Sequence, residues 1–351
     1  MNHEFWKNKK VLVTGHTGFK GSWLSLVLKN LGAKVIGYSL KPVSNPNLFD
    51  TLKVKKIIDF SYFGDVRDVA KLKKIMTKHK PDITIHLAAQ AFVGESYKNP
   101  LYTYDVNILG TLNLINESFL SKNVKACLVV TSDKCYENKE WSYPYREDDQ
   151  LGGHDLYSSS KACAEILTRS FYKSFLSSDP KKKLFLATAR AGNVIGGGDY
   201  SYDRLVPDYF RSLDQSKQLI LRNPNSIRPW QHVLDALAGY LILCQKLYDA
   251  DPFYEGAWNF GPYNQNELSV IELVSMLNNH FDNNVKIKKS KETFHEAKIL
   301  KLDISKSLDY LNWKPILNLK ESVEMICDFY KSDNKYDLIQ KQISSYIAKE
   351  R

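Results

Sequence analysis

Short apolar runs alternate with amphipathic segments along the first 192 residues of the chain. The runs are KVLVTG, AKVIGYSL, DITIHLAA, ACLVVTS and KLFLATARAG, all rich in the Val, Ile, Leu and Thr of buried strands. Apolar residues recur at helical spacing in the segments between them, WLSLVLKNLG, VAKLKKIMTKH, VNILGTLNLINESFLS and SSSKACAEILTRSFYKSF. This alternation predicts an α/β fold, a Rossmann-type doubly wound parallel sheet covered by helices on both faces.

The pattern changes after residue 192. GGGDYSYDRLVPD is rich in turn residues, RPWQHVLDALAGYLILCQKL predicts a helix, and AWNFGP predicts one more strand. ELSVIELVSMLNNHF and ISKSLDYLNWKP predict a helical tail. We therefore expect a dinucleotide-binding Rossmann domain over residues 1–192 plus about 230–262. A smaller, mostly helical C-terminal substrate lobe should take about 193–229 plus 263–351.

Composition places the chain among ordinary globular proteins, with 43% hydrophobic and 25% charged residues. It has no uncharged apolar run of about 18 residues, and MNHEFWKNKK lacks the apolar centre of a signal peptide. The five cysteines are scattered, with no C-x-x-C pair. These features predict a cytoplasmic protein with reduced thiols, no membrane partner and no metal site.

The formal net charge of +10 raises the question of a nucleic-acid partner. The basic runs are dispersed and mixed with Asp and Glu, and no nucleic-acid motif accompanies them. A Lys-rich solvated surface, helped by a phosphate-bearing ligand, is the favoured interpretation. We therefore expect no nucleic-acid partner.

The segment VLVTGHTGFKG places Gly15, Gly18 and Gly21 between the first strand and the first long helix. Glycines there let the backbone turn tightly and approach a pyrophosphate, which the positive end of the helix dipole favours. The pattern predicts dinucleotide binding. The second strand ends in GYSLKP without the acid that would bind the ribose, and Lys41 could accept a 2′-phosphate, so NAD and NADP both remain open.

LYSSSKACAE holds Tyr157 and Lys161 four residues apart on a predicted helix, so both side chains lie on one face. A cation beside a tyrosine favours the phenolate. A phenolate next to an oxidised nicotinamide can take a hydroxyl proton while hydride leaves the same carbon. Together with the glycine loop and TSD at the end of the fourth run, the pair predicts a redox site.

The chain resembles the extended short-chain dehydrogenase/reductase family over nearly its whole length. Within that family it is most similar to the CDP-glucose 4,6-dehydratase subgroup. The motifs that carry the resemblance are GHTGFKGSWL, GYSLKP with NPNLFD, HLAAQ, TSDKCYEN with YREDDQLGGHDLYSSSKACAEI, RAGNVIGGGDYSYDRLVPD and RPWQHV. The resemblance implies NAD-dependent conversion of CDP-glucose to CDP-4-keto-6-deoxyglucose, a step of deoxysugar and surface polysaccharide biosynthesis.

The reaction implied by the resemblance is an internal redox cycle. C4 of the hexose is oxidised, water leaves across C5 and C6, and the hydride returns to C6. Tyr157 is then the base at O4, Lys161 lowers its pKa and holds the cofactor ribose, and Ser132 binds O4. Asp133 protonates the departing C6 hydroxyl. Lys134 is either the base at C5 or a charge that stabilises the C4 enolate; related dTDP-glucose dehydratases carry Glu at this position.

The resemblance also implies a set of binding residues. Cofactor contacts are expected from Gly15, Thr17, Gly18, Phe19, Gly21, Tyr38, Asp65, Val66, Leu87, Ala88, Ala89, Gln90, Asn107, Thr131, Tyr157 and Lys161. Substrate contacts are expected from Gln90, Asn193, Arg204, Leu205, Val206, Arg228 and His232, with Arg228 on the diphosphate. For Asp65, a cap on the following helix is an equal alternative to an adenine contact.

One segment departs from the subgroup. The chain has AAQAFVGESY where the resemblance leads us to expect AAQPLV followed by a basic residue, and this segment faces the hexose and nicotinamide in the family. The identity of the sugar nucleotide therefore stays open among CDP-, GDP-, UDP- and dTDP-hexoses. An epimerase or reductase of a nucleotide sugar is the further alternative, and a non-catalytic dinucleotide-binding protein is the third.

Helices around Val106 to Leu120 and Ser158 to Phe175 are expected, by the same resemblance, to pair with those of a second subunit. The expected assembly is a homodimer or a dimer of dimers.

Overall fold

The computed structural model describes residues 2–263, 267–282, 285–290 and 299–350. The strands are β1 (Lys10–Thr14), β2 (Lys34–Ser39), β3 (Phe60–Phe63), β4 (Ile83–His86), β5 (Ala126–Val130), β6 (Phe185–Ala191), β7 (Asn193–Ile195), β8 (Leu219–Leu221), β9 (Ile227–His232), β10 (Gly256–Phe260), β11 (Glu267–Ser269) and β12 (Ile287–Lys289).

The α-helices are numbered in chain order. They are α1 (His3–Trp6), α2 (Phe19–Asn30), α3 (Leu48–Thr51), α4 (Val54–Ile57), α5 (Val69–His79), α6 (Val93–Lys98), α7 (Pro100–Tyr104), α8 (Gly110–Leu120), α9 (Leu156–Phe171), α10 (Leu205–Asp214), α11 (Val233–Tyr248), α12 (Val270–Asn278), α13 (Ser305–Leu311), α14 (Leu319–Lys331) and α15 (Lys335–Glu350). A π-helical turn, Asp105–Leu109, precedes α8, and another, Tyr172–Leu176, follows α9. Within the described ranges, every helix is too short or too polar to span a bilayer.

The central sheet has seven parallel strands in the order β10-β6-β5-β4-β1-β2-β3. This confirms the doubly wound Rossmann fold. The segment AWNFGP does return to the main sheet, because β10 pairs with β6. The strand order reverses between β1 and β4, so a crevice opens there at the carboxyl ends of the strands.

Two elements differ from the sequence interpretation. Strand β3 is absent from the apolar runs above because it is the sheet edge and Phe60 is 45% exposed. RPWQHV was assigned to a helix, yet β9 runs from Ile227 to His232 and pairs with β7 and β11. Pro229 explains the difference, since proline disfavours helical backbone in the residue before it.

The smaller lobe has its own apolar core, formed by α10, α12, α14 and two small sheets. It is therefore less purely helical than expected. Helices α13 and α15 do not join this core: Leu311, Ile339, Ile343 and Tyr346 pack in the large core with side chains of α2 and α11. The expected assignment of all of 263–351 to the smaller lobe is wrong for these helices, because the apolar face of α15 covers α2.

A buried carboxylate fastens the C-terminal segment to α11. Asp235 is 1% exposed and accepts hydrogen bonds from the backbone N–H groups of Ile316 (2.9 Å) and Leu317 (3.3 Å) and from the hydroxyl of Tyr346 (2.8 Å). Burial raises the pKa of Asp235 to about 6, and the three hydrogen bonds oppose that rise. One side chain thus joins α11, the segment before α14, and α15.

Asp235 should make stability depend on pH in a direction unusual for a carboxyl group. Its pKa is higher in the folded than in the unfolded chain, so its contribution is greatest at acid pH and is lost as the pH rises through about 6. The difference in unfolding free energy between wild type and Asp235→Asn should fall by about 2 kcal/mol from pH 4.5 to 7.5. Urea denaturation at both pH values measures it.

The matched control is Asp249→Asn at the exposed C-terminal end of the same helix. Its difference from wild type should be the same at both pH values. An equal difference at both pH values for Asp235→Asn would contradict the assignment.

Candidate active site

A cleft of about 960 Å³ lies along the carboxyl edge of the sheet and extends beneath the smaller lobe. The loop after β1, the turn after β5, the start of α9 and the segment from Gly192 to Asn223 line it. The cleft therefore coincides with the point where the strand order reverses, the usual ligand position in an open α/β sheet.

The glycine loop has the backbone geometry of a diphosphate cradle. Gly15 has φ +78°, and a Cβ there would lie 2.6 Å from the backbone nitrogen of Ala88. A Cβ on Gly21 would lie 2.1 Å from the carbonyl oxygen of Gly15. Helix α2 starts with Gly18 as its N-cap, without a side-chain cap. Open amides and a helix dipole then face the cleft, so these residues fit a dinucleotide.

The side chain of Tyr38 does not line this cleft. It is fully buried, and its hydroxyl donates to the carbonyl of Asp65 at 2.6 Å. Ser39, Leu40 and Lys41 line the cleft at the end of β2 instead, and Thr17 bonds to the Ser39 hydroxyl at 2.8 Å. The buried Tyr38 side chain thus stabilises the loop that contains Asp65.

Asp65 lines the cleft, and the two interpretations of its role can be separated. The residue that caps α5 is Asp68, which accepts from the backbone N–H of Lys71 at 3.0 Å. Asp65 instead pairs with the guanidinium of Arg67 through bonds of 3.0 and 2.8 Å, which hold its pKa below the ordinary value. The capping alternative is therefore wrong, and Asp65 and Val66 are both at the cleft wall.

The turn after β5 buries an acid beside a serine. The Ser132 hydroxyl donates to Asp133 at 3.0 Å and accepts from the backbone N–H of Lys134 at 3.2 Å. Asp133 is 4% exposed, and a Cβ on Gly192 would lie 3.1 Å from its Oδ2. Burial raises the Asp133 pKa, and the charge of Lys134 is the largest influence against that rise. A raised pKa suits a group that donates a proton.

Tyr157 and Lys161 lie on the buried face of α9, as their spacing predicts. Burial raises the pKa of Tyr157 to about 12, while the charge of Arg204 and a hydrogen bond with Ser132 act to lower it. Burial lowers the pKa of Lys161 to about 8, opposed by the carboxylate of Glu165 one turn later. In this structure the cation that most favours the Tyr157 phenolate is thus Arg204.

A fully buried ion pair supports α9 from below. Glu165 and Arg190 are each 3% exposed and are joined at 2.8 Å. Glu165 also accepts from the hydroxyls of Thr131 and Thr188, and Arg190 donates to the Tyr136 hydroxyl at 2.7 Å. Because Thr131 directly precedes Ser132, this network fixes the turn after β5 relative to α9.

Gln90 and Asn107 are both buried and hold the loop after β4. The Asn107 amide bonds to both backbone groups of Gln90, at 2.8 and 3.0 Å, and to the Ser160 hydroxyl at 2.8 Å. The Gln90 side chain bonds to Thr103 and to both backbone groups of Phe92. Neither side chain lines the cleft, so the structure gives them supporting roles in place of ligand contacts.

The smaller lobe brings most of its expected residues to the cleft. Asn193, Arg204, Leu205, Val206 and Arg228 line it. His232 does not: it is fully buried, and its Nδ1 accepts from the backbone N–H of Leu234 at the start of α11. Burial lowers its pKa to about 3. The expectation that His232 binds substrate is wrong because this imidazole caps a helix.

The other expected residues also reach the cleft. They are Gly15, Thr17, Gly18, Phe19, Gly21, Leu87, Ala88, Ala89, Thr131, Ser132, Asp133, Lys134, Tyr157 and Lys161. Across residues 2–263, 267–282, 285–290 and 299–350, no group of three or more His, Cys, Asp or Glu side chains is arranged to hold a metal ion.

Sequence reasoning missed Lys20, which lines the cleft between Gly18 and Gly21. Burial lowers its pKa to about 7, the charge of Arg204 lowers it further, and the carboxylate of Asp133 acts in the opposite direction. Lys20 is visible in the sequence as the Lys of GHTGFKG. The prediction of a dinucleotide site, however, used only the spacing of the glycines. A basic side chain at the start of α2 places charge where a phosphate would bind.

Comparisons with known proteins agree with this geometry. A family model described as GDP-mannose 4,6 dehydratase matches residues 12–326. A protein of Salmonella typhimurium named CDP-glucose 4,6-dehydratase is 41% identical over 99% of this chain and 99% of its own.

Two solved structures share the fold. An epimerase of Methanothermobacter thermautotrophicus has a TM-score of 0.80 at 24% identity, over 97% of this chain and 96% of its own. A dTDP-glucose 4,6-dehydratase of Bacillus anthracis, solved in complex with NAD, has a TM-score of 0.75 at 18% identity, over 93% and 98%.

Proposed function

The chain belongs to the GDP-mannose 4,6 dehydratase family, and we propose that it converts CDP-glucose to CDP-4-keto-6-deoxyglucose by NAD-dependent 4,6-dehydration. The observation that carries the proposal is the buried Asp133 beside Lys134, in the same cleft as Tyr157 and Lys161. A redox reaction alone needs only Tyr157 and Lys161. Elimination of water also needs an acid, and Asp133 is suited to that role. The relative named CDP-glucose 4,6-dehydratase supports the choice of nucleotide and sugar.

Oxidation at C4 requires removal of the O4 proton. Tyr157 is the base for that proton, and Ser132 forms a hydrogen bond with the substrate oxygen. The charge of Arg204 lowers the Tyr157 pKa. Lys161 lines the same cleft and is the residue that would hold the cofactor ribose. Bound NAD would supply the hydride acceptor for C4 and the hydride donor for C6. The glycine loop and the start of α2 would hold its diphosphate.

Elimination follows once C4 is a ketone, because the ketone acidifies the C5 proton. Burial raises the pKa of Asp133, which favours the acid form that donates a proton to the departing C6 hydroxyl. Lys134 lines the cleft next to it and is our choice for the group that removes the C5 proton. The alternative role for Lys134 is that of an ammonium group that stabilises the C4 enolate.

Binding of the sugar nucleotide uses the smaller lobe. Arg228 supplies a guanidinium group at the cleft, which suits a diphosphate, and Asn193, Leu205 and Val206 also line the cleft. Lys41 follows β2 and lines the cleft, where its ammonium could bind a 2′-phosphate. NADP is therefore a second cofactor to be tested. The acid at 133 argues against an epimerase, which needs only the redox pair.

The other proposals concern setting. We place the protein in the cytoplasm because its five cysteines are free thiols. We place its product in deoxysugar biosynthesis for surface polysaccharides such as lipopolysaccharide, since a 4-keto-6-deoxy nucleotide sugar is a precursor of that class. A nucleotide-sugar ligand accounts for the cationic cleft without nucleic acid.

Incubation of the enzyme with CDP-glucose and catalytic NAD should give a 4-keto-6-deoxy sugar, which is read by its absorbance in alkali. Asp133→Asn should lower the rate about a hundredfold or more, because the acid for the leaving hydroxyl is lost. The control is Asp249→Asn, far from the cleft. Turnover of GDP-, UDP- or dTDP-glucose but not CDP-glucose would overturn the nucleotide assignment, and NADP in place of NAD tests the cofactor.

Exchange of the C5 proton with solvent separates the two roles of Lys134. Lys134→Met should abolish deuterium uptake at C5 in D₂O, since the base is missing. Asp133→Asn should retain uptake at C5 in recovered substrate while losing the elimination. Proton NMR measures both. Retained exchange in Lys134→Met would make the lysine an electrostatic aid.

We also propose that α8 and α9 pair with the same helices of a second copy. Leu109, Leu120, Ile166 and Phe175 expose 51, 61, 55 and 53% of their surfaces along these helices and the π-helical turns that adjoin them. Apolar exposure of this kind along adjacent helices favours an interface. A homodimer, or a dimer of dimers, would bury it.

Sedimentation velocity tests the pairing. Wild type should sediment as a dimer or larger, and Ile166→Glu should shift it towards the monomer because a charge would be buried. Phe253→Glu, equally exposed but outside these helices, should leave the mass unchanged. A monomeric wild type at working concentration would overturn the proposal.

A further inference from the structure

Phe92 and Arg204 both line the cleft, and their side chains lie close to each other. Phe92 comes from the loop after β4 and Arg204 is the N-cap of α10 in the smaller lobe. The guanidinium carbon of Arg204 lies 5.7 Å from the centre of the Phe92 ring. A guanidinium at this distance over an aromatic face is attracted by the ring quadrupole.

Both partners are held in place. The Arg204 guanidinium also pairs with Asp199 at 3.5 Å, and Asp199 is 3% exposed. The backbone N–H of Phe92 donates to the Gln90 side chain at 2.5 Å, and the Gln90 amide donates back to the Phe92 carbonyl at 3.0 Å. Arg204 is therefore fixed from one side by its own lobe and from the other by a ring on the Rossmann domain.

The charge of Arg204 acts on Tyr157. Burial raises the Tyr157 pKa, and Arg204 is the largest influence in the other direction. Among the other influences on the Tyr157 pKa, the hydrogen bond with Ser132 lowers it and the carboxylates of Asp133 and Asp155 raise it. The ammonium of Lys161 follows one turn later on the same helix.

We propose that Phe92 is a positioning residue that acts through Arg204: its ring holds the guanidinium in the cleft that Tyr157 also lines. The inference rests on the proposed function, since Tyr157 serves there as the base at O4. Loss of the ring would let the guanidinium move away from Tyr157, and its charge would then favour the phenolate less.

Kinetics of a double-mutant cycle test the link. Phe92→Leu keeps apolar bulk without the ring, Phe92→Tyr keeps the ring, and Arg204→Gln removes the charge. Phe92→Leu should lower kcat about threefold at pH 7 and move the acid limb of its pH profile up by about 0.5, with Phe92→Tyr close to wild type. In the Arg204→Gln background, Phe92→Leu should have no further effect.

The same threefold loss in the Arg204→Gln background, or an acid limb that does not move, would overturn the proposal. Failure of Phe92→Tyr to behave better than Phe92→Leu would do so as well. Phe281→Leu is the control for losing a ring beneath a cation, because Phe281 lies under Lys331 at 4.9 Å, outside the cleft. It should leave both kcat and the pH profile unchanged.

A second measurement needs no substrate. The Nε–H proton of Arg204, assigned in ¹⁵N-arginine-labelled protein by its loss in Arg204→Gln, should carry an upfield ring-current shift. Phe92→Leu should remove that shift and Phe92→Tyr should retain it. An unshifted wild-type resonance overturns the positioning itself. If CDP-glucose is not turned over, this measurement still decides the Phe92–Arg204 contact, so the two proposals fail separately.

Discussion

Burial of the Asp133 carboxyl group is the constraint on which the rest of the site depends. A carboxyl group at 4% exposure stays protonated at higher pH than one in water, because desolvation penalises the anion. Gly192 packs closely against the acid, since a Cβ there would lie 3.1 Å from Asp133 Oδ2. The turn that carries the acid is fixed in turn by Thr131, whose hydroxyl reaches the buried Glu165–Arg190 pair. The position of the acid in the cleft thus depends on a buried network of charged side chains.

Cations dominate the walls around this acid. Lys20, Lys134, Lys161, Arg204 and Arg228 all line the cleft. Burial lowers the pKa of Lys20 to about 7 and that of Lys161 to about 8, because removing an ammonium group from water costs free energy. Two diphosphates, one in the cofactor and one in the substrate, would offset that cost. The same field favours the Tyr157 phenolate, so binding and acid–base chemistry share one electrostatic source.

Periodicity along the chain was enough for the parallel sheet, and spacing was enough for Gly15, Gly21, Tyr157 and Lys161. Local motifs placed Asp133 and Lys134 correctly at the end of β5. Sequence reasoning failed where a side chain could point either way: Tyr38 and His232 lie in matching motifs, yet both turn inward and bond to backbone groups. The influence of the Arg204 charge on the Tyr157 pKa could not be predicted from the sequence, because the two residues come from segments of different lobes.

Movement of the C4 hydrogen is the decisive test of an internal redox cycle in this cleft. With CDP-[4-²H]glucose as substrate, deuterium should appear at C6 of the 4-keto-6-deoxy product, because one cleft performs the oxidation, the elimination and the reduction. Carbon and deuterium NMR of the product measure its position. Deuterium retained at C4, as in a reaction without oxidation there, or lost to the solvent, would rule out the internal cycle.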